Sequence, residues 1–284
     1  MNNKKIKHLS LLVILLSALT VPAGLWAAPS GKVALAVSIA PQAYFVERIG
    51  GDRVDVEVMI PGGVSPETYE PTPQQLVRLS SAQIYMKVGV AGLPAEKRFV
   101  DAVAGRGGGV AVVDMFAGAA QRRGDPHIWL SPSAVRLAAG NIERVLSAHD
   151  PGHEDEYRRN LGAFARDIDE LDEDIRSVFA GLAGFSFMVY HPAWGYFADE
   201  YGLVQLAIEE EGKRAGLSHI RKMIDLAKKK GIRVILVQEG FDTKSAQSIA
   251  RQIGGEVRTA NPLERDWLVN TRNFARLLKD IVRK

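Results

Sequence analysis

The sequence predicts an α/β protein built as two βα lobes with mostly parallel sheets, joined by one long rigid helix. Short apolar runs rich in β-branched residues alternate with helical segments from Gly31 to about Val113, and the same alternation resumes at Phe185. Between them lies the longest periodic stretch of the chain. Tyr157, Leu161, Phe164, Ile168, Leu171, Ile175 and Val178 recur there at steps of 4, 3, 4, 3, 4 and 3. That spacing makes an amphipathic helix of about seven turns, with Asp167, Asp169, Asp172 and Asp174 on its outer face. Roughly three heptads are marginal for an isolated coiled coil, and a helix lying along two lobes fits better. The expected divisions are 1–28 for an export signal, 29–152 for the first lobe, 153–182 for the linking helix and 183–284 for the second lobe.

The elements follow in order. Val33 to Ala40 reads as a buried strand. Pro41 opens a helix through Tyr44, Phe45 and Ile49 that ends at Gly50-Gly51, and Val54, Val56, Val58 and Ile60 mark a second strand. After Pro61-Gly62-Gly63 comes the loop Ser65-Pro66-Glu67-Thr68-Tyr69-Glu70-Pro71-Thr72-Pro73. Thr72 has the chemistry of an N-cap, with Pro73 at the first helical position. Strands near Ile84–Val90 and Val110–Val113 complete the first lobe. Ser131-Pro132 then starts a helix to about Ser147, and Asp150-Pro151-Gly152 separates it from the long helix. In the second lobe a strand from Phe185 to Tyr190 precedes a helix from Pro192 to Tyr201 and a strand from Leu203 to Ile208. Ser218 is expected to cap the next helix, which carries Lys228, Lys229 and Lys230 at its end, as the helix dipole favours. A strand at Ile232–Val237, a helix at Thr243–Ile253, a short strand at Glu256–Thr259 and a helix at Asn270–Val282 close the chain.

Lys4, Lys5 and Lys7 precede an apolar run from Leu9 to Trp26 that Pro22 and Gly24 interrupt, with Ala27 and Ala28 behind it. This is the pattern of a cleaved secretory signal, too broken for a comfortable membrane span, and it directs the chain to the periplasm. The whole chain has 36 Lys and Arg against 33 Asp and Glu. Residues 1–28 hold three of those lysines and no acid, so the exported part is balanced at 33 against 33. A nucleic-acid partner therefore loses its electrostatic support. There is no cysteine, which excludes a disulfide scaffold, a thiolate ligand or nucleophile, and a lipid anchor on an N-terminal cysteine.

Ligands of open parallel sheets bind beyond the carboxyl ends of the strands, and three candidate metal ligands fall in such loops. Glu67 follows the second strand. His127 sits on the stiff turn Gly124-Asp125-Pro126-His127-Ile128-Trp129-Leu130. His191 follows the strand Phe185–Tyr190, and Pro192 holds it at the strand–helix junction. A shared site would lie in the cleft between the lobes. Taken singly, each histidine is the hydrogen-bonded polar group expected of interiors, and Glu67 is a solvated loop acid. His149, His153 and His219 lie at helix ends and are expected to face solvent.

Three motifs in this order, about 60 residues apart, change that weighing: Ser65 to Pro73, Asp125-Pro126-His127-Ile128-Trp129-Leu130, and Tyr190-His191-Pro192-Ala193-Trp194-Gly195-Tyr196-Phe197. With them, the long helix and Glu211-Gly212-Lys213, the chain resembles the extracytoplasmic metal-binding proteins of ABC importers for zinc and manganese over nearly its whole exported length. The resemblance implies a divalent cation held in the cleft between the lobes and delivered to a membrane permease. His127 and His191 match the second and third ligand positions of that family. The first, usually histidine in Ser-Pro-His-x-Tyr, is Glu67; the fourth, commonly an acid, is Asn261 in Asn261-Pro262-Leu263. Three neutral histidines and one carboxylate carry −1, and so do Glu67, two histidines and Asn261. The carboxylate has moved across the site with its total charge unchanged.

Two imidazoles with one or two oxygens suit zinc, and with added oxygens manganese or iron. Zinc-specific members often carry a histidine-rich loop ahead of Asp-Pro-His; here Met115 to Gly124 has no histidine. Asp125 is a candidate acceptor for an imidazole N–H or simply a turn-former, and Gln238 and Glu239 are reserve ligands. The leading function is a monomeric, non-enzymatic substrate-binding protein that carries Zn2+, with Mn2+ or Fe2+ as alternatives, to an ABC permease. An exported zinc hydrolase would use the same ligands, but the chain has no His-Glu-x-x-His pair. A binder of an organic ligand such as a siderophore would leave the histidines incidental.

Overall fold

The computed structural model describes residues 31–89, 93–104, 109–209, 215–238 and 243–282. The export signal at 1–28, Glu211-Gly212-Lys213 and Glu239 lie outside these residues. The first lobe runs β1 (Val33–Val37), α1 (Ala40–Gly50), β2 (Val54–Val58), α2 (Pro73–Leu79), β3 (Ile84–Lys87), α3 (Pro94–Ala104), β4 (Ala111–Asp114) and α4 (Pro132–His149). The linking helix α5 (Glu154–Phe179) follows. The second lobe is β5 (Ser186–Val189), α6 (Gly195–Glu200), β6 (Val204–Ala207), α7 (Leu217–Lys230), β7 (Val234–Val237), α8 (Thr243–Gln252), β8 (Glu256–Thr259) and α9 (Trp267–Val282). Among the described residues, no helix is long and apolar enough to cross a membrane.

Both sheets are parallel and share one topology, β2-β1-β3-β4 in the first and β6-β5-β7-β8 in the second. In each, the order reverses at the first strand, which opens a crevice beyond the carboxyl ends of the central strands. The two crevices face each other.

Helix α5 has 26 residues and spans about 39 Å. Its buried stripe is Tyr157, Phe164, Ala165, Ile168, Leu171, Ile175 and Phe179, while Leu161 and Val178 are half-buried. It packs on α1 and α4 in one lobe and on α9 in the other. A single apolar core runs through both lobes, and a smaller one lies under α7 and α8. Phe45 of α1 meets Trp267 of α9 edge-on at 5.4 Å. The Trp129 indole donates to Pro262 O at 2.8 Å, and the Trp267 indole donates to Trp129 O at 2.6 Å. Both tryptophans are at most 1% exposed. Truncating one buried tryptophan costs about 3–5 kcal/mol, so separating the lobes along this seam would be expensive.

Several boundaries differ from the sequence expectations. Strand β1 ends at Val37, where the Gln42 carboxamide oxygen accepts from the backbone N–H of Ser38 and Ile39, at 3.0 and 3.1 Å, and diverts those two donors from the sheet while Ser38 O still accepts from Ile60 N at 3.0 Å. Helix α3 was not expected; Ala95, Glu96, Phe99 and Val103 form its buried side, and a buried glutamate breaks the apolar signature. Ser218 is not a cap: α7 starts at Leu217 behind an extended Gly216. Helix α6 starts at Gly195 because Ala193 N–H closes a tight turn onto His191 O at 2.8 Å. Helix α9 starts at Trp267 because Asp266 accepts from Val269 N at 3.2 Å, as an N-cap does. The Thr72 expectation holds. Its hydroxyl accepts from Gln75 N at 3.3 Å, and the Gln75 carboxamide oxygen accepts from Thr72 N at 2.9 Å, a reciprocal capping box.

Candidate metal centre

His127 is aimed by its own turn. Asp125 Oδ1 accepts from the His127 backbone N at 3.0 Å and lies 2.8 Å from its Nδ1. Pro126 stiffens the link, and the short helical turn Ile128–Leu130 that follows is buried. His191 is aimed by the second sheet. Register pairs Val189 with Ala207, and the pairing continues two residues on, where Glu209 N–H donates to Tyr190 O at 2.9 Å. This sets Glu209 beside His191, with Oε2 2.8 Å from Nδ1. An ionised carboxylate only accepts, so each Nδ1 carries the hydrogen and each Nε2 faces the cleft. Glu67 reaches the same point from the β2–α2 loop, which the Thr72 cap and a 2.9 Å bond from Gln75 Nε2 to Met59 O hold in place.

The three groups converge. His191 Nε2 lies 3.2 Å from His127 Nε2 and 3.4 Å from Glu67 Oε1, which is 3.9 Å from His127 Nε2. All three ligand atoms fall within 4.8 Å of one another. Atoms held about 2.0–2.1 Å from a tetrahedral zinc lie about 3.3 Å apart. The observed spacings are therefore close to three corners of such a tetrahedron. The histidine side chains are 7% and 5% exposed and Glu67 is 25% exposed. The cavity they enclose measures about 10 Å³ and is walled by Leu93, Trp129, Pro262 and Leu263. It has room for one ion or one water.

Charge in this pocket is strongly coupled. Burial acts to lower the His191 pKa, but hydrogen bonds to Glu209 and Glu67 outweigh it and push the imidazole up to about 9. For Glu67 burial acts to raise the carboxyl, and the hydrogen bond from His191 with the nearby imidazoles brings it below the ordinary glutamate value. Without metal, a proton therefore sits on His191, and Nε2–H can donate across the 3.2 Å gap to His127.

Of the four ligand candidates, Glu67, His127 and His191 are brought together. Asn261 is turned elsewhere. Its side-chain oxygen accepts from Leu263 N at 3.0 Å, its carbonyl accepts from Asn270 Nδ2 at 2.8 Å, and it does not line the cavity. Asparagine before proline readily makes such a local turn. Gln238, 8% exposed, does line the cavity. His149 is exposed as expected, but His153 and His219 are half-buried, with ring nitrogens 2.7 Å from Asp150 Oδ2 and 3.2 Å from Ala207 O. A larger cleft of about 700 Å³, beside Lys230, Arg233 and Glu256, lies at the opposite ends of β5 and β7 and contains none of the candidate ligands.

Glu209 was not singled out from sequence. Its signal is an acid two residues past a strand end, at the same offset as His191 from β5, and it needs the strand register to be read. Replacing Glu209 with alanine is expected to weaken zinc binding by about 10- to 100-fold, the usual cost of losing a carboxylate behind a ligating imidazole. Competition against a chelator measures it; wild-type affinity would show that Glu209 does not support the site.

A family model described as the periplasmic component A of zinc-uptake complexes, ZnuA, matches residues 35–283. The high-affinity zinc uptake system protein ZnuA of Bacillus subtilis strain 168 is 28% identical over 262 residues, covering 82% of this chain and 79% of its own. A crystal structure of ZnuA is similar with a TM-score of 0.82 at 36% identity, covering 88% of this chain and 99% of that one. A ZnuA deletion mutant with zinc bound has the same score and identity, over 88% and 98%.

Proposed function

The chain belongs to the family of ZnuA, the periplasmic component A of zinc-uptake complexes, and on that premise we propose which residues hold its cargo. It is a metal-binding protein of an ABC importer and not an enzyme. Glu67, His127 and His191 hold one divalent cation, zinc foremost, and the loaded protein hands it to the membrane permease. The observation that carries this reading is the cluster itself: two imidazole nitrogens and a carboxylate oxygen, 3.2 to 3.9 Å apart, converging from both lobes. Asp125 and Glu209 orient the imidazoles, and Asn261 serves the turn beside the site instead of ligating.

Three protein donors, two of them nitrogen, suit four-coordinate zinc. Manganese and iron take additional oxygens, and the apolar walls of the cavity leave little room for them. The zinc-bound ZnuA relative supports the same preference. An organic ligand does not fit, since such pockets measure about 300–1,000 Å³ against about 10 Å³ here. The export pattern at 1–28 supports a periplasmic location.

Protein purified without added metal is expected to contain about one zinc per chain by elemental analysis. It should keep that zinc against equimolar manganese and iron(II). A purified protein devoid of stoichiometric metal, or one that takes manganese in preference, would refute the assignment.

A further inference from the structure

The first-lobe ligand His127 is oriented by a carboxylate that is itself held from the second lobe. Asp125 divides its two oxygens. Oδ1 serves His127, and Oδ2 lies 3.3 Å from Arg122 Nε. The Arg122 carbonyl accepts from Asp125 N at 3.3 Å within the turn, and its other bonds run to α6 of the other lobe. Its Nη1 donates to Gly195 O at 3.2 Å and pairs with Asp199, and its backbone N–H donates to the Tyr196 hydroxyl oxygen at 2.8 Å. Helix α6 begins four residues after His191, so the element that carries one ligand also anchors the residue that steadies the other.

Gly195 independently marks the same contact. A Cβ there would lie 2.5 Å from Asp125 Oδ2 and 3.0 Å from the Arg122 guanidinium. Its φ is not in the left-handed range, so the close approach of Asp125 and Arg122, and not backbone conformation, calls for glycine.

We propose that Arg122 is a positioning residue, a latch that ties the aim of His127 to the apposition of the lobes through Asp125. Movement of α6 away from the 122–125 turn withdraws the guanidinium from Asp125 Oδ2, leaves the carboxylate held by the His127 turn alone and loosens the aim of His127 as His191 shifts. Metal release and a local shift of α6 against the 122–125 turn then become one event, with the tryptophan seam between the lobes left intact. This rests on His127 being a ligand.

The test is zinc affinity of the exported chain, by competition with a chromogenic chelator. Arg122→Ala should weaken binding about tenfold, the lower end of the range for a group behind a ligand, and Gly195→Ala should do the same. In an Asp125→Ala background, Arg122→Ala should add less than about twofold, because the carboxylate it acts through is gone. Arg122→Lys should recover only part of the loss, since an ammonium keeps the charge but not the fork of contacts. The metal-free melting temperature of Arg122→Ala should stay near wild type, because its ion pairs are partly exposed. Wild-type affinity in Arg122→Ala, or an equal loss in both backgrounds, overturns the latch. A His127→Ala control separates the two readings. If it keeps zinc affinity, the ligand assignment fails and the latch with it; if it loses affinity while Arg122→Ala does not, the latch alone fails.

Discussion

Replacing His191 with alanine is expected to lower zinc affinity by more than about 100-fold, beyond what removal of an outer carboxylate costs. Three effects add. One of three donors disappears from a site whose corners are 3.2 to 3.9 Å apart. Glu209, 13% exposed, loses its imidazole partner and becomes a buried charge without a counterpart, which is costly. Glu67 loses the hydrogen bond that helps hold its carboxyl below the usual range. His127→Ala should also lower affinity strongly by removing a second donor, while Asp125 keeps the Arg122 guanidinium and the backbone N–H of residue 127. Chelator competition with zinc and manganese, on variants shown by circular dichroism to be folded, measures both. Unchanged titrations with either metal would defeat the ligand assignment.

Acid should release the metal, with the proton on His191 as the competitor. That imidazole titrates at about 9 when metal-free, since the bonds to Glu209 and Glu67 outweigh burial. Binding requires the neutral form, so at every pH below about 9 a cation must displace this proton. Affinity should fall about tenfold per pH unit, or about 100-fold from pH 8 to pH 6, and level off above about 9. Calorimetry in buffers of different ionisation enthalpy should find about one proton released per zinc at pH 7. Stability of the metal-free fold runs the other way. A pKa raised from 6.5 to about 9 contributes stability that is complete below the lower value and lost as pH rises through the higher one. Affinity that does not change between pH 6 and pH 8 would show that no such proton occupies the site.

Much of this molecule was legible before folding because its signals are local. Thr72 and Gln75 form a capping box within four residues, and the steps from Tyr157 to Val178 lay down the long helix by periodicity alone. Asp125 reaches His127 two positions away, so the oriented histidine is visible in the Asp-Pro-His string itself. Element ends were less visible where a side chain competes for backbone hydrogen bonds, as Gln42 does at the end of β1 and Asp266 does before α9.

The residue sequence by itself determined the alternation of strands and helices, the bridging helix, and the three loops that carry Glu67, His127 and His191. Those properties depend on local spacing and on the chemistry of single residues. Only the tertiary structure decided that His191 is backed by Glu209, that Asn261 is spent on a turn, and that Arg122 joins the His127 turn to α6. For Asn261 a turn to Leu263 and Asn270, two and nine positions on, won over ligation. The first and last depend on strand register or lobe apposition, which place residues 18 to 77 positions apart within hydrogen-bond reach and which no periodicity in the chain encodes.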